Sequence, residues 1–233
     1  VLMPMINQAN AGIVQLLWSD YVYKGYDGYY GDYIIAYLNG TTAKLKVPVY
    51  NDVSWMGPSI NITAVSLVFD TGYNLTLSSV VNATLYTTKY FDFSFTADTN
   101  VLSNLWAHTY TIYVDLQDNW GWKYEDYWVY PWYYYDYTFV VYLPEQKDVM
   151  DLSRKYNSYY NSYPPYYFET IAAHILATQA GVEAALAQNF VTLGNFTEAK
   201  AHYQTAVSLY EQAFDAEEEK GVAMEDAELN ATI

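Results

Sequence analysis

Alternation of apolar and polar positions runs through most of the chain before residue 145. Tyr110, Ile112, Val114 and Leu116 fall on one side of an extended backbone and Thr111, Tyr113, Asp115 and Gln117 on the other, the period-two signature of a half-buried strand. Tyr135, Tyr137, Phe139, Val141 and Leu143 repeat the pattern against Tyr134, Asp136, Thr138, Val140 and Tyr142. The two runs read as the arms of one long hairpin, Tyr110 to Leu143. Trp120, Trp122, Tyr127, Trp128, Tyr130, Trp132 and Tyr133 lie between them, too apolar a connection for a plain solvated loop, so a cover is expected over these rings.

Earlier segments repeat the alternation. Leu45, Val47 and Val49 alternate with Lys44, Lys46 and Pro48, which places Pro48 where no backbone donor is needed. Ile60 and Ile62 share a face that Val65, Leu67 and Phe69 leave, so this strand needs a bulge or burial on both sides. Tyr73, Leu75 and Leu77, then Ala83 and Leu85, then Phe91, Phe93 and Phe95 continue the series. Ile13 to Tyr23 and Tyr33 to Leu38 look extended around a turn marked by Gly25, Gly28 and Gly31, while Val1 to Gln15 reads as a first strand or a docking arm. Strands spaced about 8 to 14 residues apart with no helix between them predict an antiparallel, immunoglobulin-like β-sandwich over residues 1–145.

After Leu143-Pro144 the composition shifts to Ala, Glu, Gln and Leu, and residues 146–233 read as a helical hairpin or stalk. Asp148 to Ser162 predicts a short helix broken by Pro164-Pro165. Tyr166 to Leu193 carries Phe168, Ile171, Ala172, Ile175, Val182, Leu186 and Phe190 at helical intervals. Gly194 closes that helix, and Asn195 caps the next with Glu198 at the capping-box offset. Ala199, Tyr203, Ala206, Tyr210 and Phe214 form a stripe on a last helix that turns acidic from Asp215. Tyr156, Tyr159, Tyr160, Tyr163, Tyr166 and Tyr167, which open the helical part, offer a cover for the hairpin rings.

Charge narrows the function classes. With 10 basic against 26 acidic residues and a net charge of −16, the chain lacks the basic patch that nucleic acid requires. Charged residues make up 15% and aromatic residues 19%, so Tyr, Thr, Asn and Ser replace charges over much of the surface. No cysteine is present, which excludes disulfides, thiolate metal sites and a cysteine nucleophile. His108, His174 and His202 show no metal-binding or catalytic spacing. Asp115, Asp118, Asn119, Glu125, Asp126 and Asp136 place oxygen donors on a turn, as calcium requires, but without the D-x-[DN]-x-[DN]-G spacing; the same charges also serve solubility. No catalytic set, metal or cofactor is expected.

Six N-x-[ST] sequons, at Asn39, Asn61, Asn74, Asn82, Asn195 and Asn230, fall mainly at outward-facing positions and point to an exported, N-glycosylated protein. No apolar run is long enough to span a membrane, and a start at Val1 fits a mature chain whose signal peptide has been removed.

The segments KLKVPVYND, SINITAVSLVF, FDFSFTAD and YTFVVYL, between Ala43 and Leu143, resemble in pattern the immunoglobulin-like, CARDB-type sandwiches of archaeal cell-surface proteins. With the helical tail and acidic end, the order of parts is similar to the small stalk-forming subunits of archaeal S-layers. Unlike them, this chain has one sandwich and no membrane helix, so either an anchor lies beyond Ile233 in a longer precursor or the analogy fails. Leu186, Ala187, Phe190, Gly194, Phe196, Ala199, Tyr203 and Ala206 also resemble one tetratricopeptide hairpin, a spacing that any close-packed helix pair shares. The expectation is a structural protein of a cell envelope or surface assembly. It would dock other protein subunits, of its own kind or of the envelope, through Trp120, Trp122, Tyr127, Trp128 and Trp132. The alternatives are a carbohydrate-binding module stacking sugars on those rings, or an accessory subunit of a membrane protein complex.

Overall fold

The computed structural model describes residues 12–13, 16–130 and 137–231, with side chains placed over 16–128 and 137–218. It divides into two compact units, Val1–Leu143 and Pro144–Ile233. The first is built from mostly antiparallel β-sheets and the second from helices.

Eleven strands are described in the first unit: β1 (Gly12–Ile13), β2 (Leu17–Ser19), β3 (Tyr23–Asp27), β4 (Asp32–Leu38), β5 (Thr42–Tyr50), β6 (Ser59–Phe69), β7 (Asn74–Thr84), β8 (Thr88–Thr96), β9 (Tyr110–Gln117), β10 (Lys123–Tyr130) and β11 (Thr138–Tyr142). They form three sheets. In one, β5 pairs β8 on one edge and both β1 and β2 on the other; a second runs β10-β9-β6-β7; the third runs β11-β4-β3. Pro48 lies where the partner of β5 changes from β1, ending at Val49, to β2, beginning opposite Lys46, so its missing N–H is tolerated.

The alternation is realised where a strand has one buried face. On β9, Tyr110, Ile112, Val114 and Leu116 are buried, and on β8 Phe91, Phe93 and Phe95 are. Strand β6 shifts register between Ile62 and Ala64 against both neighbours, and this bulge returns Val65, Leu67 and Phe69 to the buried face of Ile60 and Ile62.

The expected long hairpin is replaced by a different pairing. β9 turns back at once into β10, and the intended second arm, β11, runs parallel to β4 in another sheet. Phe139, Val140, Val141 and Tyr142 are all fully buried, as are Ile34 to Tyr37 on β4, so β11 is buried on both faces and its alternation carried no information about its partner.

An aromatic cluster ties the three sheets together. Trp18 from the first sheet meets Tyr37 and Phe139 of the third and Tyr110 of the second, with centroids 5.3–6.0 Å apart. Phe139 also contacts Phe69 at 5.4 Å and Phe95 at 5.6 Å. The polar atoms are satisfied within the cluster: Trp18 Nε1 donates to Tyr110 Oη at 3.1 Å, and the Tyr37 hydroxyl donates to the Ser19 carbonyl. Nearby, the buried His108 sets Nδ1 2.8 Å from Asp70 Oδ1 and Nε2 3.0 Å from the Ser103 carbonyl, which pins the loop before β9.

The second unit contains α1 (Pro144–Ser162), a 3-10 turn at Pro165–Tyr167, α2 (Ile171–Thr192) and α3 (Phe196–Ala231). Gly194, at φ +71°, reverses the chain, and Asn195 Oδ1 accepts from the Glu198 N–H at 3.3 Å to cap α3. The face that α2 buries is alanine: Ala173, Ala177, Ala180, Ala184 and Ala187, then Val191. Opposite lie the buried Ala199, Tyr203, Ala206, Tyr210 and Ala213 of α3. The Ile, Val and Leu residues that mark α2 in the sequence sit on its other side. The tyrosines that open this part turn to α3: Tyr156 meets Tyr210 at 5.7 Å, and Tyr159 and Tyr163 meet Phe214 at 5.5 and 5.2 Å.

Candidate functional site

The β9–β10 turn, residues 118–122, presents Trp120 and Trp122 to solvent, 65% and 71% exposed. One carboxylate holds it. Asp118 is buried; its Oδ1 accepts from the backbone N–H groups of Trp120 at 2.9 Å and Trp122 at 2.8 Å, and its Oδ2 accepts from the Tyr124 hydroxyl at 3.1 Å. Gly121 takes φ +91° to close the turn, and its carbonyl accepts from Gln117 Nε2 at 2.9 Å.

The turn also rests on the 3-10 turn Ser54–Met56. The Asn119 N–H donates to the Met56 carbonyl at 3.2 Å, and a Cβ at Gly57 would lie 2.8 Å from Asn119 Cβ, so only glycine allows this approach. This contact brings in Trp55, whose ring lies 6.0 Å from Tyr124 and 6.4 Å from Tyr127. Tyr127 in turn meets Tyr124 at 5.6 Å and Trp128 at 5.4 Å. A register shift between Tyr124 and Trp128 makes this grouping possible. Asp126 adopts φ +47° there and donates its N–H to Asp115 Oδ1 at 2.8 Å, which sets Tyr127 and Trp128 side by side. Burial chiefly, then the Asp118 carboxylate, raises the Tyr124 hydroxyl pKa; burial followed by Tyr124 and Asp52 raises that of Tyr127. Both stay neutral donors well above neutral pH.

Of the expected docking residues, Tyr127 and Trp128 are grouped with Tyr124, partly buried against the core, while Trp120 and Trp122 stand exposed on the adjoining turn; Trp132 lies outside the described residues. Trp55 joins them without any sequence signal, because it sits in a three-residue turn far upstream. The acids considered for calcium are spent on backbone donors at Asp115 and Asp118, and among the described residues no three His, Cys, Asp or Glu side chains group as metal ligands. His174 Nδ1 lies 3.0 Å from the Pro165 carbonyl, and His202 Nδ1 lies 2.6 Å from Glu183 Oε2.

Asn39, Asn74, Asn82 and Asn195 are exposed, and Asn61 is half-buried. Asn61 and Asn82 stand directly opposite on β6 and β7, with Asn82 Nδ2 donating to Asn61 Oδ1 at 3.0 Å. The Asn230 side chain lies outside the described residues.

No family model matches this chain, and no curated protein matches it. Among solved structures, Spo0M, a sporulation control protein from Bacillus subtilis, is similar at 12% identity and a TM-score of 0.32, over 63% of this chain and 56% of that one. Another, named pT26-6p, is similar at 11% identity and a TM-score of 0.28, over 87% of this chain and 51% of that one. The chain spans about half the length of these two structures. At these values neither likeness assigns a fold family or a function.

Proposed function

We propose that this chain is an extracellular structural protein of a cell envelope or surface assembly. In this reading its β-unit is an immunoglobulin-like sandwich and its helical unit a stalk; N-linked glycans shield the exposed sequons. The aromatic patch on the β9–β10 turn docks another protein subunit. The observation that carries the proposal is the exposure of Trp120 and Trp122 on a turn whose backbone a buried carboxylate holds in place, because large rings left in solvent contribute little to folding.

Immunogold labelling of source cells, with mass spectrometry of peptides spanning the sequons, tests the proposal. Label on the envelope together with glycan mass on Asn39, Asn74 or Asn195 is the expected result; label in the cytoplasm with unmodified sequons overturns it. The exposed pair Trp120 and Trp122 also favours a second reading, sugar stacking. Saturable quenching of tryptophan fluorescence by an oligosaccharide, abolished in Trp122→Ala, would replace the structural reading with that one.

A further inference from the structure

His108 is fully buried, and both of its ring nitrogens face oxygen. Nε2 lies 3.0 Å from the Ser103 carbonyl, which can only accept a hydrogen bond, so Nε2 carries a hydrogen. Nδ1 lies 2.8 Å from Asp70 Oδ1. A neutral imidazole has a hydrogen on one nitrogen only, and an ionised carboxylate has none. A neutral ring beside an ionised Asp70 would therefore set two lone pairs against each other at 2.8 Å, on a ring that water does not reach. The contact needs one more hydrogen.

Two neighbours place that hydrogen on the ring. At Asp70 the other oxygen is also served: Oδ2 accepts from the Thr109 N–H at 3.0 Å and lies 3.4 Å from the Thr109 hydroxyl, and the side chain is 35% exposed, so a negative charge there is both bonded and hydrated. The Trp106 ring stands 6.0 Å from the imidazole, within the range of about 6 Å over which a tryptophan ring attracts a cation. The elements around His108 thus offer it the Asp70 carboxylate from the β6–β7 turn, the Ser103 carbonyl and the Trp106 ring from the loop before β9, and the main chain of Phe139 from β11. With Phe139 it exchanges two backbone hydrogen bonds of 2.8 Å. Among the described residues Asp70 is the one charged side chain at ion-pair distance from it.

We propose that His108 is a buried imidazolium and that its second ring proton is a latch, which fastens the loop of residues 97–107 to the β6–β7 turn and opens when alkali removes it. With both hydrogens in place the ring joins Asp70, Ser103 and, through its backbone, Phe139. Once a proton passes to solvent, either Asp70 Oδ1 or the Ser103 carbonyl loses its donor. The segment released carries the exposed Leu105 and Trp106. The folded chain binds this proton more firmly than the unfolded chain does, so the contribution of the latch is complete in acid and lost as pH rises. The latch is separate from the aromatic turn and stands whether or not that turn docks a partner.

Nitrogen-15 NMR of the full chain tests it, with the ring signals of His108 assigned through their contact with Trp106. Both ring nitrogens are expected to carry hydrogen at a pH where free imidazole in the same sample is largely neutral; a bare Nδ1 or Nε2 there, in a folded chain, overturns the proposal. A further rise in pH should strip the ring and, in the same step, speed exchange of the His108 and Phe139 amide hydrogens by about tenfold or more beyond the rise at Val114 on the central strand β9. Asp70→Asn keeps an acceptor for Nδ1 but removes the charge, so it should bring the step to lower pH. Ring deprotonation without faster exchange, or a step that Asp70→Asn leaves in place, overturns the latch.

Discussion

Asp118 gathers two backbone donors and a tyrosine hydroxyl around one buried carboxylate, so a single substitution should release the whole turn. Asp118→Ala leaves those donors without their acceptor and is expected to cost about 2–3 kcal/mol in urea unfolding, with Trp120 and Trp122 fluorescence losing its anisotropy. A second prediction concerns tyrosine ionisation. In the helical unit, burial first, then Tyr160 and Tyr203, push the Tyr156 pKa up to about 12. The folded state therefore favours the neutral ring, and its contribution is fully present below the unfolded value of 10.0 and lost as pH rises towards about 12. Helicity followed by circular dichroism against pH should fall in that window, and Tyr156→Phe should move the midpoint upwards; an unmoved midpoint would remove Tyr156 from the account. Residues of these kinds differ in legibility. The acids near the turn were visible as a cluster, but their use as hydrogen-bond acceptors for local backbone depends on φ values at Gly121 and Asp126 that composition does not announce.

Elements with one buried face were legible because the pleat forces a period of two, as on β8 and β9. Two features defeated that reading. The register shift in β10 breaks the alternation of Tyr124, Tyr127 and Trp128, which hid a strand inside an apparent loop; β11, buried on both faces, offered an alternation that decided nothing. In α2 the bulky residues announced the helix, but alanine forms the packed face, because close helix contact needs small side chains more than large ones. Two substitutions test these packings. At Gly57 an added Cβ meets Asn119 and also suffers a φ of +103°, whereas Gly72, at φ +84°, has open space. Gly72→Ala should cost about 1–2 kcal/mol from backbone strain alone, and Gly57→Ala more, with the excess seen as lost order around Trp55. Ala180→Leu, inserted into the α2–α3 seam, should cost about 1–3 kcal/mol in thermal unfolding, whereas the same change at the exposed Ala185 should cost little.

At the scale of the molecule, the change in composition after Leu143 marks the place where the chain passes from strands to helices, because alternation and helical periodicity impose incompatible patterns. Which strands share a sheet was not legible, since pairing across the chain leaves no local trace. Phe139 lies where the aromatic contacts of all three sheets converge, so Phe139→Ala should destabilise the β-unit by about 3–5 kcal/mol. Calorimetry of the full chain is expected to show the transition of the β-unit lowered and that of the helices unmoved; a shift of both would mean that the two units unfold as one. The parallel pairing of β4 with β11 has a further consequence, for synthesis of the chain. β4 leaves the ribosome early, with Ile34 to Tyr37 destined for full burial, and its neighbour is not made until Tyr142. Through that interval an apolar strand edge waits unpaired, a template for aggregation that a nascent-chain chaperone would have to mask. Chains released before Thr138 should therefore precipitate or stay chaperone-bound, whereas chains released just past Leu143 should resist protease.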